Sequence, residues 1–380
     1  MSHSPSPPLV IPIFIPHAGC LHQCAFCNQK AITSLTGITM PDSHDIHKIV
    51  NAYLLYKGAR EQVEMAFFGG NFLGLSRHKM TALLDTARNL VKSGQIHGIR
   101  FSTRPDTITE KNLETIAHYP VSTVELGVQS MNDQVLRAVE RGHTEKDTIK
   151  AMQRLREFLP VCKTGIQMMV GLPRESEVMA LEGARRAAAL APDFVRIYPL
   201  LVLEGSLMAN WYRKGIYTPL NLENAVTRVK KLYMIFESQN IKVIRMGLQA
   251  SDIMEDNKTV LAGPWHPAFG HLVHSEIFLD MAVTQIRDKI ENFPLHNDRY
   301  MDAPAKSGAN VHPTEFKNPL QTPASQEISI TLSVHPSSLS KLKGDKNRNM
   351  SALTRIFPSI NININVDKKL DKNQILIEHL

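Results

Sequence analysis

Three cysteines near the amino terminus are the residues best suited to chemistry. They lie in Cys20-Leu21-His22-Gln23-Cys24-Ala25-Phe26-Cys27, so one compact loop can gather three thiolates. Thiolates are soft ligands, the kind that hold iron–sulfur clusters. Three of them around a four-iron cluster leave one iron open to the amino and carboxylate groups of a small molecule. A zinc site is the competing reading, with His17 or His22 as fourth ligand. Structural zinc takes four ligands, often from two paired knuckles, and a single knuckle stands here. The fourth cysteine, Cys162, lies in an apolar stretch and is expected in the core of a strand rather than on a metal.

Such a loop must be positioned, and the chain from Val10 to Ser251 supplies the means. Short apolar runs alternate with longer helical patterns. The runs predict strands at Val10–Pro16, Glu64–Phe68, Ile99–Thr103, Thr123–Val128, Thr164–Val170, Phe194–Tyr198 and Val243–Gly247. Helices are expected at Lys79–Lys92, Glu110–His118, Glu145–Phe158, Met179–Leu190 and Leu222–Ser238. In the last, Val226, Val229, Leu232, Tyr233 and Phe236 fall on one face. Repeated strand–helix units imply an α/β fold with a parallel sheet and outer helices, curled into a partial (β/α) barrel.

In such sheets function gathers at the carboxyl ends of the strands. His17 and the cysteines follow the first strand, and Gly69-Gly70-Asn71 the second. Arg104-Pro105-Asp106 follows the third, Gln129-Ser130 the fourth, Gly171-Leu172-Pro173 the fifth and Tyr198-Pro199 the sixth. The Gly69-Gly70 pair permits close backbone approach, although such a pair is often only a turn. Glu125 and Gln129 share one face of their strand. A carboxylate inside a barrel needs a partner, and Arg104 and Arg196 offer forked donors. Tyr198 fits either a cavity wall or the core. His266, His271, His274 and Glu276 have metal-like spacing, but a structural role is favoured.

The character changes after Met281. Residues 282–326 are polar and irregular and read as a linker. Residues 327–380 regain pattern as a small α+β domain. Strands are expected at Glu327–Val334 and Ile360–Val366, with helical stretches at Leu339–Lys343 and Met350–Ile356 between them. The intervening Gly344-Asp345-Lys346-Asn347 is similar to the GXXG loop of KH-type RNA modules, with Asn347 in place of the second glycine. The bland alternative is a charged, solvated loop.

Composition sets outer limits. The 380 residues carry a formal charge of +7 and a pI near 9.1, which permits an acidic partner such as RNA. Four cysteines, three of them clustered, are not a disulfide framework and favour a reducing compartment. The opening residues lack a basic leader, and no apolar run suffices to span a bilayer, so a cytoplasmic protein is expected.

The triplet, with Phe26 before its last cysteine, resembles the CxxxCxφC signature of radical S-adenosylmethionine enzymes. Ala66-Phe67-Phe68-Gly69-Gly70-Asn71-Phe72-Leu73-Gly74 is similar to that superfamily's glycine motif. Ser102-Thr103-Arg104-Pro105-Asp106, Val124-Glu125-Leu126-Gly127-Val128-Gln129-Ser130 and Arg196-Ile197-Tyr198-Pro199-Leu200-Leu201-Val202 most resemble the radical domain of the Elongator catalytic subunit and its bacterial relatives. The resemblance runs over residues 1–281. It implies a 4Fe-4S cluster on Cys20, Cys24 and Cys27, with S-adenosyl-L-methionine on its open iron. Phe26, Gly69, Gly70, Asn71, Arg104, Glu125, Gln129 and Arg196 become cofactor-binding candidates. It further implies reductive cleavage to a 5′-deoxyadenosyl radical, an electron donor such as flavodoxin or ferredoxin, and a transfer RNA substrate. The first gap between cysteines is shorter than in Elongator relatives, and no acetyl-coenzyme A loop follows the barrel. Acetyl transfer is therefore not expected of this chain. Two alternatives stand beside this reading. One is a coproporphyrinogen-oxidase-like protein acting on a small molecule or haem, a branch that shares Gly127-Val128-Gln129-Ser130. The other is a non-catalytic, zinc-stabilised RNA-binding protein.

Overall fold

The computed structural model describes residues 8–15, 19–20, 23–28, 40–57, 60–248, 259–291 and 328–377. The chain divides into two compact units, Met1–Val273 and His274–Leu380. No helix among the described residues is long and apolar enough to cross a membrane.

The first unit is built on seven parallel strands: β1 (Leu9–Phe14), β2 (Val63–Phe68), β3 (Gly98–Thr103), β4 (Val121–Gln129), β5 (Lys163–Val170), β6 (Phe194–Pro199) and β8 (Lys242–Met246). Their order in the sheet is their order in the chain, β1-β2-β3-β4-β5-β6-β8. A sheet wound in one direction, with helices on one side, curls into a barrel wall. Among the described residues β1 and β8 do not pair, so the barrel is partial. A two-stranded antiparallel pair, β7 (Val202–Leu203) with β9 (Val260–Ala262), sits apart from this sheet.

The outer layer includes α1 (Ser43–Lys57), α2 (Arg77–Lys92), α3 (Glu110–Ile116), α4 (Asp133–Ala138), α5 (Glu145–Phe158), α6 (Glu177–Ala189), α7 (Leu207–Arg213) and α8 (Leu222–Glu237). In α8, Val226, Val229, Leu232, Tyr233 and Phe236 are buried, as their spacing requires. Each such side chain contributes roughly 1.5–3 kcal/mol by leaving water. Local chemistry fixes the helix starts. Thr144 and Asp147 form a reciprocal capping box at α5, and Ser176, Ser206 and Asn221 cap α6, α7 and α8. The six residues of α4 and seven of α7 are too few to show a 3.6-residue period, and neither was anticipated. Cys162 does not belong to a strand. It precedes β5, half-buried, and burial pushes its thiol up to about 12.

Residues 282–291, expected to open an irregular linker, are helical. They complete α9 (Phe269–Glu291), whose Phe278, Ala282 and Ile286 recur every fourth residue and are buried. One helical stripe of three residues was hidden by the polar residues between them. Residues 292–326, the remainder of that expected linker, and Glu327, the first residue of the expected strand after it, lie outside the described residues.

The second unit has a central strand β10 (Ile328–Val334), followed by α10 (Leu339–Lys343), α11 (Arg348–Ile356), β11 (Ile360–Val366) and β12 (Ile375–Ile377). β11 runs parallel to β10 and β12 antiparallel on its other side. Ile330, Leu332 and Val334 alternate into the core, where they join Leu342, Leu353 and the buried face of α9.

Candidate functional site

The cysteine loop is anchored by backbone and side-chain contacts from several strand ends. A stack of three phenylalanines, Phe67 of β2, Phe72 and Phe101 of β3, has ring centroids 4.9 and 4.6 Å apart. This apolar base supports the Gly69–Leu75 turn after β2. Gly69 has φ +101°, and a Cβ there would stand 2.8 Å from the Ile15 carbonyl. Farther along, a Cβ on Gly74 would meet the Gly19 carbonyl at 2.0 Å. Only hydrogen fits at either place, so the turn and the start of the cysteine loop are in backbone contact.

Asn71 holds that contact. Its Nδ2 donates to Gly19 O at 2.8 Å. Its Oδ1 accepts from Thr103 Oγ1 (2.7 Å), Arg104 N (3.0 Å) and Thr107 Oγ1 (3.1 Å). The Asn71 side chain, expected near the cofactor, thus ties the glycine turn to the cysteine loop and to the end of β3. Ala25, between the second and third cysteines, is gripped from both sides. Its N–H donates to Val139 O at 3.0 Å and its carbonyl accepts from Met208 N at 2.8 Å. Asn28 Nδ2 donates to the Glu204 carbonyl.

Two guanidiniums face the middle cysteine. Arg141 Nη1 lies 3.2 Å from Cys24 Sγ while its Nη2 donates to Gly127 O at 2.5 Å. Arg104 Nη1 stands 4.0 Å from the same sulfur, and Asp106 holds the rest of that guanidinium at 2.9 and 3.2 Å. Arg104 is thus an Asp106-paired neighbour of Cys24. Burial pushes the Cys20 thiol up, and the Cys27 thiol up to about 12, with the other thiols adding to the rise. Arg141 pulls both down. Two buried thiols that resist ionisation, Cys20 and Cys27, beside fixed cations suit a metal centre, whose positive charge favours their thiolates. Among the described residues no three Cys, His, Asp or Glu side chains already converge on one point as a metal site. His17 and His22, the zinc-ligand alternatives, lie outside the described residues. His271 and His274 lie in α9, and His266 accepts from Ala268 N at 3.1 Å, a local turn contact.

Sequence reasoning missed Arg141. It follows α4, in a turn where Glu140 and Gly142 both have positive φ. The available signal was Arg141-Gly142-His143-Thr144, a basic residue and glycine directly before a helix cap. His143 is buried there, and desolvation with the Arg141 and Arg104 charges pushes its imidazole down to about 3, so it remains neutral.

Deeper in the barrel the predicted Glu125 and Arg196 have other partners. Glu125 is fully buried. It accepts from Arg100 Nε at 2.6 Å, Arg196 Nη2 at 3.1 Å and Gln167 Nε2 at 2.9 Å. Arg100 also reaches Glu64 at 3.1 Å, and Glu64 takes the hydroxyls of Ser122 and Thr123 at 2.8 Å each. Arg196 stacks over Phe68 at 5.8 Å and stands 3.4 Å from the Tyr198 hydroxyl. Glu125 and Arg196, expected among the cofactor-binding residues, are paired with each other. Arg100, Glu64 and Gln167 were not singled out from sequence. Gln129 differs. It sits at a bulge with φ +66°, half-buried, and its amide makes no hydrogen bond among the described residues. Phe26 packs with Ala25 against Val135, Leu172 and Met208.

A cysteine triplet at the mouth of a seven-stranded partial barrel, beside a glycine turn, defines a class. The Radical SAM superfamily model matches residues 14–185, and the Radical_SAM C-terminal domain model matches residues 192–278. The chain belongs to the radical SAM superfamily and is a radical SAM enzyme. It is 30% identical over 179 residues to a tRNA uridine(34) acetyltransferase of Dehalococcoides mccartyi, covering 42% of this chain and 39% of that protein. It is 30% identical over 212 residues to protein YhcC of Escherichia coli, covering 53% and 63%. Elongator complex protein 3 of Schizosaccharomyces pombe is 24% identical over 225 residues, 51% of this chain and 41% of that one. The solved structure of an archaeal Elp3 from Methanocaldococcus infernus shares the fold, with TM-score 0.56 and 21% identity, over 72% of this chain and 63% of that one. The chain thus spans only part of the length of these relatives.

Proposed function

We propose that this enzyme acts on RNA, with transfer RNA as the substrate class. Cys20, Cys24 and Cys27 would hold a 4Fe-4S cluster. A cluster held there would supply the one-electron reduction by which S-adenosyl-L-methionine is cleaved. Around it the chain's own residues orient and exclude water. Gly69 and Gly70 present bare backbone to the amino group of the methionine moiety. Gln129 offers an unassigned amide to the ribose. Phe26 covers the adenine side, and Arg141 counters the negative charge gathered at Cys24. The electron comes from a reducing partner such as flavodoxin or ferredoxin.

The RNA part rests on one observation above others, the basic turn between α10 and α11. Gly344, Lys346 and Asn347 all have positive φ, and Lys343 and Lys346 are exposed. A short, charged turn of this conformation between two helices suits contact with a phosphate backbone. The name of the Dehalococcoides mccartyi relative, a tRNA uridine(34) acetyltransferase, supports the same reading. The test is a gel-shift of bulk transfer RNA with the full chain and with a Lys343→Glu/Lys346→Glu variant. A loss of affinity of at least tenfold is expected, since each phosphate contact carries part of a counterion-release term. Equal affinity would remove the turn from the account. Modified-nucleoside profiling of a deletion strain should show a lost or altered nucleoside, and an unchanged profile would oppose transfer RNA as substrate.

A further inference from the structure

A cleft of about 840 Å³ is lined in part by α4 and α7, next to the backbone groups that hold Ala25 of the cysteine loop. Its walls come from three strand-end connections. Arg137 and Ala138 lie on α4, Pro173 and Arg174 follow β5, and Trp211 and Tyr217 lie in and after α7. The size falls in the range of roughly 300–1,000 Å³ usual for ligand sites.

Its chemistry is specific. Arg137 and Arg174 are exposed, and neither makes an ion pair among the described residues. No carboxylate lines the cleft. Trp211 is half-buried against the Leu172 and Met208 core, which fixes it as a flat wall. Tyr217 is locked by its hydroxyl, which donates to Gly171 O at 2.6 Å. The exposed Ile216 also lines the cleft, and Tyr212 and Lys214, just before it in the chain, are exposed. Two unneutralised guanidiniums beside a rigid indole select a ligand that is anionic and flat. Aromatic platforms interleaved with basic residues are how proteins hold single-stranded nucleic acid, the base stacked and the phosphates neutralised.

We propose that this cleft binds one nucleotide of single-stranded RNA, adjacent to the nucleotide presented to the cysteine loop; the proposal rests on the RNA reading above and deepens it. The base stacks on Trp211 and its flanking phosphates meet Arg137 and Arg174. The cleft is connected to the reaction centre by short links. Val139, which follows α4, and Met208, within α7, are the two residues that grip the Ala25 peptide. An occupant would therefore rest on the same two helices that hold the cysteine loop in place.

The experiment uses full-length reconstituted protein carrying Trp265→Phe, which leaves Trp211 as the sole tryptophan. It is titrated with a single-stranded RNA heptamer, with the same sugar–phosphate chain lacking bases, and with uridine monophosphate. The heptamer should quench Trp211 saturably, and the base-free chain should bind about tenfold more weakly or worse. Arg137→Ala combined with Arg174→Gly, the latter suited to the positive φ at 174, should weaken heptamer binding and lower the salt slope by about 1.4. In an otherwise unaltered chain, gel-shifts of the same double variant give a second reading independent of Trp265. Heptamer binding without quenching, or with an unchanged slope in the double variant, overturns the cleft but leaves the RNA reading intact. Uridine monophosphate binding as tightly as the heptamer assigns the cleft to a free nucleotide and overturns placement of a strand. No binding of the heptamer or of bulk transfer RNA overturns both.

Discussion

The barrel interior and the barrel mouth use the same residue types in opposite ways. Inside, Glu125 and Glu64 meet Arg100 and Arg196, and each carboxylate oxygen is taken by a donor from another strand. At the mouth, Arg141 and Arg104 point to the Cys24 sulfur, Gln129 has an unassigned amide and the three loop cysteines are free thiols. A buried charge saturated by its neighbours has a structural role, because nothing remains for a ligand. Groups left incomplete on a rigid support are the ones that a ligand can complete. The comparison places the fold's electrostatic support several residues deeper than its chemistry, on the same strands.

The strongest way to break this comparison is at the mouth. Gly74→Ala should abolish cluster assembly, because the new Cβ would lie 2.0 Å from the Gly19 carbonyl and both partners are backbone. Gly94→Ala, where nothing lies within 4 Å, should cost only about 1 kcal/mol from its positive φ and leave iron binding intact. Iron and sulfide assays after anaerobic reconstitution separate the two. Next in size is the interior. Glu125→Ala leaves Arg100 and Arg196 buried without their carboxylate and should cost roughly 3–5 kcal/mol in urea unfolding, and Glu125→Gln less. A change within error would show that the network is dispensable.

Arg141→Ala should have the opposite profile. Unfolding midpoints should shift little, while the rate of deoxyadenosine formation should fall at least about tenfold, equivalent to about 1.4 kcal/mol. Equal rates would return Arg141 to the structural category. The smallest effect concerns Glu175, which accepts from Gly171 N at 2.7 Å in the turn after β5. Burial pushes its carboxyl up from 4.5 to about 7. The folded state keeps a proton that the unfolded chain releases, so this group makes stability fall as pH rises from about 4.5 to about 7. Glu175→Gln should remove that component. Urea midpoints between about pH 5 and pH 8, wild type against variant, should converge at the acidic end and separate at the alkaline end. A constant difference across the range would contradict the raised value.

The sequence disclosed the seven strands because each is a β-rich apolar run with a helix-period segment after it, and α8 shows why such a signal is dependable. Five of its core residues recur on one face. Short elements were not legible: α4 and α7 complete fewer than two and a half turns each, yet the residue that ends α4, Val139, and Met208 of α7 hold Ala25. The cysteine loop was legible from spacing alone. The polar residues on the strands were harder, because a polar residue on an inward face looks the same in sequence whether it serves a ligand or another strand. Glu125 was assigned to the cofactor for that reason. The decisive difference is its neighbour across β3, Arg100, which register places beside Thr123 rather than opposite Glu125. Arg141 was missed because it lies past a short helix, twelve residues beyond the strand end that carries Gln129.

The central claim is that the Cys20, Cys24 and Cys27 loop holds a redox-active cluster rather than a closed zinc site. It is tested most directly by reconstituting the wild-type chain and a Cys24→Ala variant without oxygen, then adding S-adenosyl-L-methionine and a strong reductant. The wild type should carry about four irons per chain and release 5′-deoxyadenosine, and the variant should do neither. Iron-free wild-type protein, or a Cys24→Ala protein that still cleaves the cofactor, would contradict the assignment.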